Sequence, residues 1–149
     1  MTMPGSGGRA GGFTLIEMVT VVTLVGALAA IAAPRFADPS PFQVRGFYDE
    51  AMAAARYAQK IAIASGCKAR IQFNAGYSAF IACNGGAEVA LSRPGSSDLL
   101  SASAPNGVTV TNTSITFDKM GRPIAISAGN TVAVAAWSFT VETETGLVH

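Results

Sequence analysis

The sequence Gly12-Phe13-Thr14-Leu15-Ile16-Glu17 stands at the head of an apolar run that continues to Ala33. Between Phe13 and Ala33 the run contains one charged side chain, that of Glu17. Its 21 residues predict a helix about 32 Å long, which is enough to span a hydrocarbon core of about 30 Å. Because a charge near the middle of a membrane costs about 2.5–3.5 kcal/mol, Glu17 is predicted to serve a function.

The residues ahead of this run do not form an ordinary secretory signal. Such a signal has an apolar core of about 7–15 residues, and a small-residue cleavage site follows that core. Here the polar, Gly-rich residues 1–12 precede a longer apolar run, so the small residues Gly11 and Gly12 stand in front of it. The sequence Ala30-Ile31-Ala32 can imitate an ordinary cleavage site and is the alternative.

The junction at Gly12 resembles the processing site of type IV prepilins, in which a glycine, an aromatic residue and an acid stand at fixed spacing on an apolar segment. In that family a prepilin peptidase cuts after the glycine and methylates the new N-terminus. The resemblance therefore implies cleavage between Gly12 and Phe13, N-methylation of Phe13, and a role for Phe13 and Glu17 in filament assembly. Residues 1–12 would be the leader, and residues 13–33 the transmembrane and filament-core helix.

The rest of the chain is similar to the minor pilins and pseudopilins of the GspH/FimT type, including MSHA-type minor pilins. The similar residues are Tyr48-Asp49-Glu50, Arg56 to Ala62, and Phe117 to Pro123. This resemblance implies a structural subunit that primes or caps a type IV pilus-like filament or the pseudopilus of type II secretion. Its partners would be other pilins, the prepilin peptidase, an inner-membrane assembly platform and the lipid bilayer.

The same resemblance implies where the protein resides. The chain would cross the inner membrane once, with its C-terminal domain in the periplasm, and would then enter a filament in the periplasm or at the cell surface. Near-equal numbers of basic and acidic residues, ten and nine, argue against a strong nonspecific attraction to nucleic acid.

Two roles are open for the Glu17 carboxylate. In the first turn of a helix it complements the helix dipole, and it could also pair with the amine of its own chain. A dry filament core of packed helices instead requires a cation beside the acid. Cleavage would create one, because the α-amino group of Phe13, with an ordinary pKa of about 7.7–8.0, is mostly protonated at neutral pH. We favour pairing between subunits, which would set their axial register.

Residues 34–66 are predicted to contain a proline-rich break and then an amphipathic helix. Three prolines fall within the first eight residues, and proline interrupts a helix. Ser40 suits the N-cap, Pro41 the first helical position, and Gln43 the third position of a capping box. Apolar or small residues then recur every three or four positions, and Gly66 suits a left-handed C-cap.

Past Gly66 the apolar period changes to two, which predicts strands. Residues 67–73 and 77–83 alternate on either side of Asn74-Ala75-Gly76, a sequence typical of a three-residue hairpin turn. Pairing the strands about Ala75 sets Cys67 opposite Cys83, at a cross-strand distance that a disulfide can bridge. A disulfide fits a periplasmic domain, and two buried reduced thiols are the alternative.

Residues 67–149 as a whole are predicted to form an antiparallel β-sheet domain. Ser92–Ala104 is predicted to be a loop, and Trp137 and Phe139 are predicted to lie in the core. Further strands are predicted at Val89–Ser92, Val108–Thr111, Ser114–Phe117, Pro123–Ile126, Thr131–Val141 and Leu147–His149. The predicted fold class is α+β, pilin-like: a long N-terminal helix, part membrane segment and part amphipathic, interrupted by proline and packed on antiparallel sheet.

Four basic residues suggest an alternative function, since some FimT-like minor pilins bind DNA during uptake. Arg56, Lys60, Lys68 and Arg70 could form a patch where the end of the amphipathic helix meets the first hairpin. A solvated face is the more ordinary interpretation of such residues. Nucleic acid is a predicted partner only under this alternative.

Catalysis finds little support in the sequence, and the protein is not expected to be an enzyme. The only histidine is His149, so neither a Ser/His/Asp nor a Cys/His arrangement can be built within the chain. The two cysteines do not form a C-x-x-C pair, so no metal site is predicted. No cofactor is predicted.

Overall fold

The computed structural model describes residues 12–32 and 40–149. The chain divides into two compact units, residues 1–38 and 39–149. In the first, helix α1 comprises Leu15–Ala32, so it begins two residues later than the predicted Phe13. The predicted break at Pro34 and most of the leader lie outside the described residues. Among the helices described, none combines the length and apolar character needed to cross a membrane.

Helix α2, Pro41–Ser65, opens the second unit with the predicted capping chemistry. The Ser40 hydroxyl accepts a hydrogen bond from the Gln43 backbone at 3.3 Å, and the Gln43 side chain accepts one from the Ser40 backbone at 3.2 Å. The helix ends at Gly66, which adopts a left-handed φ of 68° that suits a residue without Cβ. Both ends of α2 are therefore determined by local sequence.

The strands that follow form two antiparallel sheets. The larger has the order β3-β2-β1-β5-β6, with β4 also paired to β2, and the smaller is the hairpin β7-β8. The strands are β1 Lys68–Phe73, β2 Gly76–Ala82, β3 Val89–Ala90, β4 Ser101–Ser103, β5 Thr113–Phe117, β6 Pro123–Ile126, β7 Thr131–Val134 and β8 Trp137–Thr140. The α+β class, with helix packed on antiparallel sheet, is confirmed.

The core lies between one face of α2 and the inner faces of both sheets. The helix contributes small side chains and two aromatic ones: Phe47, Tyr48, Ala51, Ala54, Ala55, Ala58 and Ala62. The strands contribute larger ones, of which Ile71, Phe73, Ile115, Phe117 and Phe139 are almost fully buried. Small residues on the helix and large residues on the sheet interdigitate, which is how a core reaches native packing density.

The first hairpin has the predicted register, since Lys68 pairs with Ala82 and Phe73 pairs with Tyr77. This register brings Cys67 and Cys83 together, with their Cα atoms 4.7 Å apart, and the two are joined in a disulfide. Gly76 has a role that the sequence pattern did not indicate. It is Ala75 that takes the left-handed φ in the turn, at 46°, whereas Gly76 lies in β2 against the carbonyl oxygen of Ala102 in β4.

Four of the predicted strand and loop assignments are wrong. Thr131–Val141 is not one strand, because a two-residue turn with a left-handed Ala135 divides it into β7 and β8. Ser92–Ala104 is not all loop, because Ser101–Ser103 pairs with β2. Val108–Thr111 and Leu147–His149 are isolated contacts rather than strands: Val110 bridges to Val134 and Val148 to Val141.

The prediction that Trp137 lies in the core is also wrong, whereas the prediction for Phe139 is confirmed. The side chain of Trp137 is 47% exposed, and that of Phe139 is 1% exposed. Both are on β8, but Trp137 is the first residue after the hairpin turn. Its ring therefore reaches beyond the edge of the core.

Removal of the disulfide should destabilise the domain without changing its fold. The cysteines are 16 positions apart, and the chain-entropy model assigns such a bridge roughly 3 kcal/mol. Urea unfolding of the full chain in detergent micelles should show this loss for Cys67→Ala/Cys83→Ala. Reduced wild-type protein should match the double variant, and equal stability of the oxidised and reduced wild type would contradict the prediction.

Gly76→Ala should destabilise the domain because β2 and β4 approach too closely for a methyl group. A Cβ at this position would lie 2.3 Å from the Ala102 carbonyl oxygen, and backbone cannot yield as a flexible side chain can. We expect a loss of about 1–3 kcal/mol in urea unfolding. The matched control is Gly46→Ala in α2, where no atom lies within 4 Å and alanine should stabilise by about 0.5–1 kcal/mol. Similar shifts for both variants would refute this explanation.

Candidate assembly site

The head of helix α1 is organised by Thr14. Its hydroxyl oxygen accepts a hydrogen bond from the Glu17 backbone at 3.3 Å. Its carbonyl oxygen accepts from the backbone N–H groups of Glu17 and Met18, at 3.1 and 3.2 Å. Thr14 is thus the N-cap, a role that sequence reasoning missed although Thr14-Leu15-Ile16-Glu17 fits the pattern of a capping box.

The cap places Glu17 in the first turn of α1, with its carboxylate directed to the outside. Within the described residues this carboxylate accepts no hydrogen bond and forms no ion pair. The N-terminal end of the helix dipole favours a negative charge here, but a dipole does not replace a counter-ion in a dry environment. The site therefore presents an acid that is free to take a cation from outside its own helix.

The surface of α1 around Glu17 is apolar on every side. Large hydrophobic side chains are exposed at consecutive positions as well as at helical spacing: Phe13, Leu15, Ile16, Met18, Val19, Val21, Val22, Leu24, Val25, Leu28 and Ile31. The hydroxyls of Thr20 and Thr23 donate to carbonyl oxygens of the same helix at 2.9 Å, which satisfies them internally. A helix that is apolar all round is usually surrounded by other apolar groups.

The four basic residues of the suggested patch differ in their contacts. The Arg56 guanidinium donates to the Val148 carbonyl oxygen at 3.0 and 3.2 Å. Arg70 donates through Nε to Glu88 at 2.8 Å and lies 4.7 Å from the centre of the Phe80 ring. Lys60 and Lys68 are exposed. The nucleic-acid patch stays a prediction, and two of its four cations already have protein acceptors.

The pKa values of Arg70 and Glu88 are shifted in the directions expected for a partly exposed ion pair. The hydrogen bond from Arg70 holds the pKa of the Glu88 carboxyl below its ordinary value, and Glu88 in turn raises the pKa of Arg70. A second carboxyl, Asp118, also has a lowered pKa, because its oxygen accepts from the backbone N–H groups of Arg122 and Met120 in the β5–β6 turn. The Arg70–Glu88 pair thus links β1 to the segment before β3, and Asp118 stabilises the β5–β6 turn.

A further polar cluster attaches α2 to the loop before β4. Tyr77 donates to Glu50 at 2.7 Å, and Arg93 forms an ion pair with the same carboxylate oxygen at 2.9 Å. Burial, reinforced by Glu50, raises the pKa of Tyr77, so its hydroxyl remains a donor. Within the described residues, no group of three His, Cys, Asp or Glu side chains is arranged to hold a metal ion.

Comparison with known proteins gives one partial match. The type IV narrow pilus major component PilA5 of Thermus thermophilus is 46% identical to this chain over 54 residues, which are 36% of this chain and 47% of that protein. The chain thus matches about half the length of this relative, and it is a partial homologue of a type IV pilin. No protein-family model and no solved structure matches it.

The Arg70–Glu88 ion pair should make stability fall in acid. A carboxyl whose pKa is lowered by folding stabilises above its ordinary pKa, about 4.3, and this contribution is lost as pH falls through the lowered value. Because Glu88 is 43% exposed, we expect no more than about 1 kcal/mol. Urea unfolding should show Glu88→Gln less stable than wild type at pH 7, and the difference should shrink as the pH falls below about 4.3.

The control for this experiment is Glu144→Gln. The Glu144 side chain is exposed and lies outside the ion pair, so its substitution should leave the pH dependence of wild type unchanged. If Glu88→Gln and Glu144→Gln had the same pH dependence, the ion pair would not be its source.

Proposed function

We propose that this protein is a structural, non-enzymatic subunit of a type IV pilus-like filament. The observation that carries the proposal is the head of α1, where a carboxylate without a partner in the described chain lies on a helix whose apolar side chains are exposed on every side. Such a helix needs an apolar environment supplied by lipid or by other helices, and such an acid needs a cation in that environment. A filament of like subunits supplies both.

Processing supplies the cation in this proposal. A prepilin peptidase removes residues 1–12 and methylates Phe13, and the new α-amino group has an ordinary pKa of about 7.7–8.0. Residues 13–33 hold the chain in the inner membrane, with residues 40–149 in the periplasm, until an assembly platform transfers it to the filament. Glu17 of the incoming subunit then pairs with the Phe13 amine of its neighbour.

The pairing fixes the position of one subunit along its neighbour. An unpaired carboxylate in a dry helical bundle carries a desolvation penalty of several kcal/mol, which a correctly placed amine removes. A shift of one helical turn, about 5.4 Å, would separate the charges. The electrostatic contact therefore favours one axial register among many that apolar packing alone would accept.

Within this class we propose a minor pilin or pseudopilin of the GspH/FimT type, which primes or caps its filament. The position of the disulfide in the first hairpin, early in the sheet domain, supports this assignment, because major pilins commonly have a disulfide near the C-terminus. The relative PilA5 is a major component of its pilus, so the alternative is an abundant subunit. Copy number per filament, measured by quantitative mass spectrometry, decides between them.

DNA binding is the weaker alternative for the sheet domain. It would rest on Lys60 and Lys68, since Arg56 and Arg70 are held by Val148 and Glu88. A salt-dependent gel shift that Lys60→Ala/Lys68→Ala abolishes would favour it.

Glu17→Ala should prevent incorporation into filaments without affecting processing. The substitution removes the charge that pairs with the neighbouring amine, while alanine preserves the helix. Filaments sheared from cells that produce the partner pilins should contain wild-type protein and little or none of the variant. Both proteins should be found in the membrane fraction with an N-terminal mass that begins at methylated Phe13.

Two further variants test whether incorporation depends on the charge of Glu17 or on the size of its side chain. Glu17→Gln keeps the size of the side chain but not its charge, so it should fail in the same way. Glu142→Gln changes an exposed acid of the sheet domain and should incorporate normally. Normal incorporation of Glu17→Ala would refute the proposed pairing, and recovery of the protein with an intact Met1 would refute the proposed processing.

A further inference from the structure

An exposed aromatic and cationic surface lies at the end of the sheet domain where α2 begins. We call it the aromatic rim and define it by Phe42, Arg45, Trp137 and the hairpin tip Ala135-Ala136. Phe42 is 88% exposed and Trp137 is 47% exposed. The Arg45 guanidinium carbon lies 4.3 Å from the centre of the Trp137 ring, so the cation covers its face.

The rim is held in place by the core beneath it. Tyr48 is buried, donates to the Ser138 carbonyl oxygen at 3.1 Å and has its ring centre 6.0 Å from that of Trp137. Arg45 lies 5.1 Å from the Tyr48 ring, and Phe42 is three residues before Arg45 and thus on the same side of α2. Packing on Tyr48 therefore positions Trp137 and Arg45, and Phe42 is positioned by its place in α2.

The chemistry of the rim matches the boundary between a bilayer and water. Tryptophan is enriched at this boundary, where one part of the ring is apolar and the N–H is wet. The Nε of Arg45 donates to Asp49 at 3.2 Å, while its terminal N–H groups have no acceptor within the described residues. A guanidinium whose terminal N–H groups have no other acceptor is well suited to bind two oxygen atoms of a phosphate.

The length of the chain sets an upper limit on the distance between Phe42 and the end of the apolar run. Phe42 follows Ala33 by nine residues, and at about 3.3–3.6 Å per residue even a fully extended chain spans only about 30 Å. If residues 13–33 are inserted in the membrane, as the proposed function requires, Phe42 cannot lie further than this from the end of the inserted segment. This step rests on the proposed function.

We propose that the aromatic rim binds the phospholipid headgroup layer before the subunit enters a filament. Phe42 and Trp137 insert into the boundary between headgroups and acyl chains, and Arg45 contacts lipid phosphate. The contact fixes one orientation of the sheet domain on the membrane. Neighbouring subunits would then meet a domain that is already oriented.

The chain contains a single tryptophan, so its fluorescence reports on the rim alone. The full chain is reconstituted in vesicles of phosphatidylethanolamine and phosphatidylglycerol, with or without lipids that carry a nitroxide near the headgroup end of the acyl chain. We expect a blue-shifted emission and a roughly twofold loss of intensity with the nitroxide lipids, as for a side chain buried about 5–10 Å deep. Phe42→Ala should reduce both effects.

The matched control moves the tryptophan to the other end of α2. Met120 is 65% exposed, and its neighbour Gly121 accepts a hydrogen bond from Gln59 at 2.9 Å. Gln59 is 14 residues after Arg45, which is about 21 Å along the helix. In Trp137→Phe/Met120→Trp the relocated tryptophan should be quenched little by lipid nitroxides and readily by aqueous acrylamide.

Flotation of the same vesicles distinguishes failure of the rim to bind lipid from failure of residues 13–33 to insert. If the protein floats with the vesicles and the nitroxides do not quench Trp137 more than the relocated tryptophan, the rim does not bind lipid although the anchor is inserted. Protection of Trp137 from acrylamide without quenching by lipid would indicate a protein contact and would also overturn the inference. Failure to float would overturn both this inference and the proposed membrane insertion.

Discussion

The alanine face of α2 is the constraint on which the rest of the domain depends. Ala51, Ala55, Ala58 and Ala62 are fully buried, and side chains this small allow the helix to lie close to the sheet. Longer side chains beside this face then reach the ends of distant segments: Tyr48 binds the carbonyl oxygen of Ser138, Arg56 that of Val148 and Gln59 that of Gly121. A larger residue on the helix face would move all three contacts together.

The two helices differ in how their apolar side chains are covered, and this contrast links the fold to the proposed function. Helix α2 has one apolar face, which its own sheets cover. Helix α1 exposes large apolar side chains in every direction, and its cap leaves Glu17 without a counter-ion in the described chain. The sheet domain therefore buries its own apolar face, whereas the proposed function assigns the cover of α1 to lipid or to other subunits.

The features that could be predicted from the sequence are those that local chemistry determines. Ser40, Gln43 and Gly66 cap α2 through contacts within a few residues, and the alternation about Ala75 fixes the register that joins the cysteines. Glu17 could be identified because a lone charge on an apolar helix is conspicuous. Its predicted partner, the Phe13 amine of a neighbouring subunit, stays a prediction, because in the proposed function that partner lies on another molecule.

The features that could not be predicted depend on contacts between distant segments. Ser101–Ser103 has Ala102 as its only apolar residue, which is a weak strand signal, and it pairs with β2 at a point where Gly76 has no side chain in the way. The turn that separates β7 from β8 has Ala135 in a left-handed conformation, without the glycine or asparagine that usually indicates such a turn. Without that signal, the alternation of apolar residues continues through the turn and predicts one strand.

Trp137 lies on the core-facing side of its strand and is nevertheless partly exposed. In the hairpin, Val132 pairs with Phe139 and Val134 pairs with Trp137, so Trp137 does lie on the side of β8 that faces the core. It stands two pairs nearer to the hairpin tip than Phe139, and its ring packs on Tyr48 of α2 while its outer part remains exposed. Alternation gives the direction of a side chain but not the limit of the core. At the edge of the core, a residue on the core-facing side of a strand can remain partly exposed. Trp137 is such a residue, so the aromatic rim includes a side chain from the same alternating pattern that builds the core.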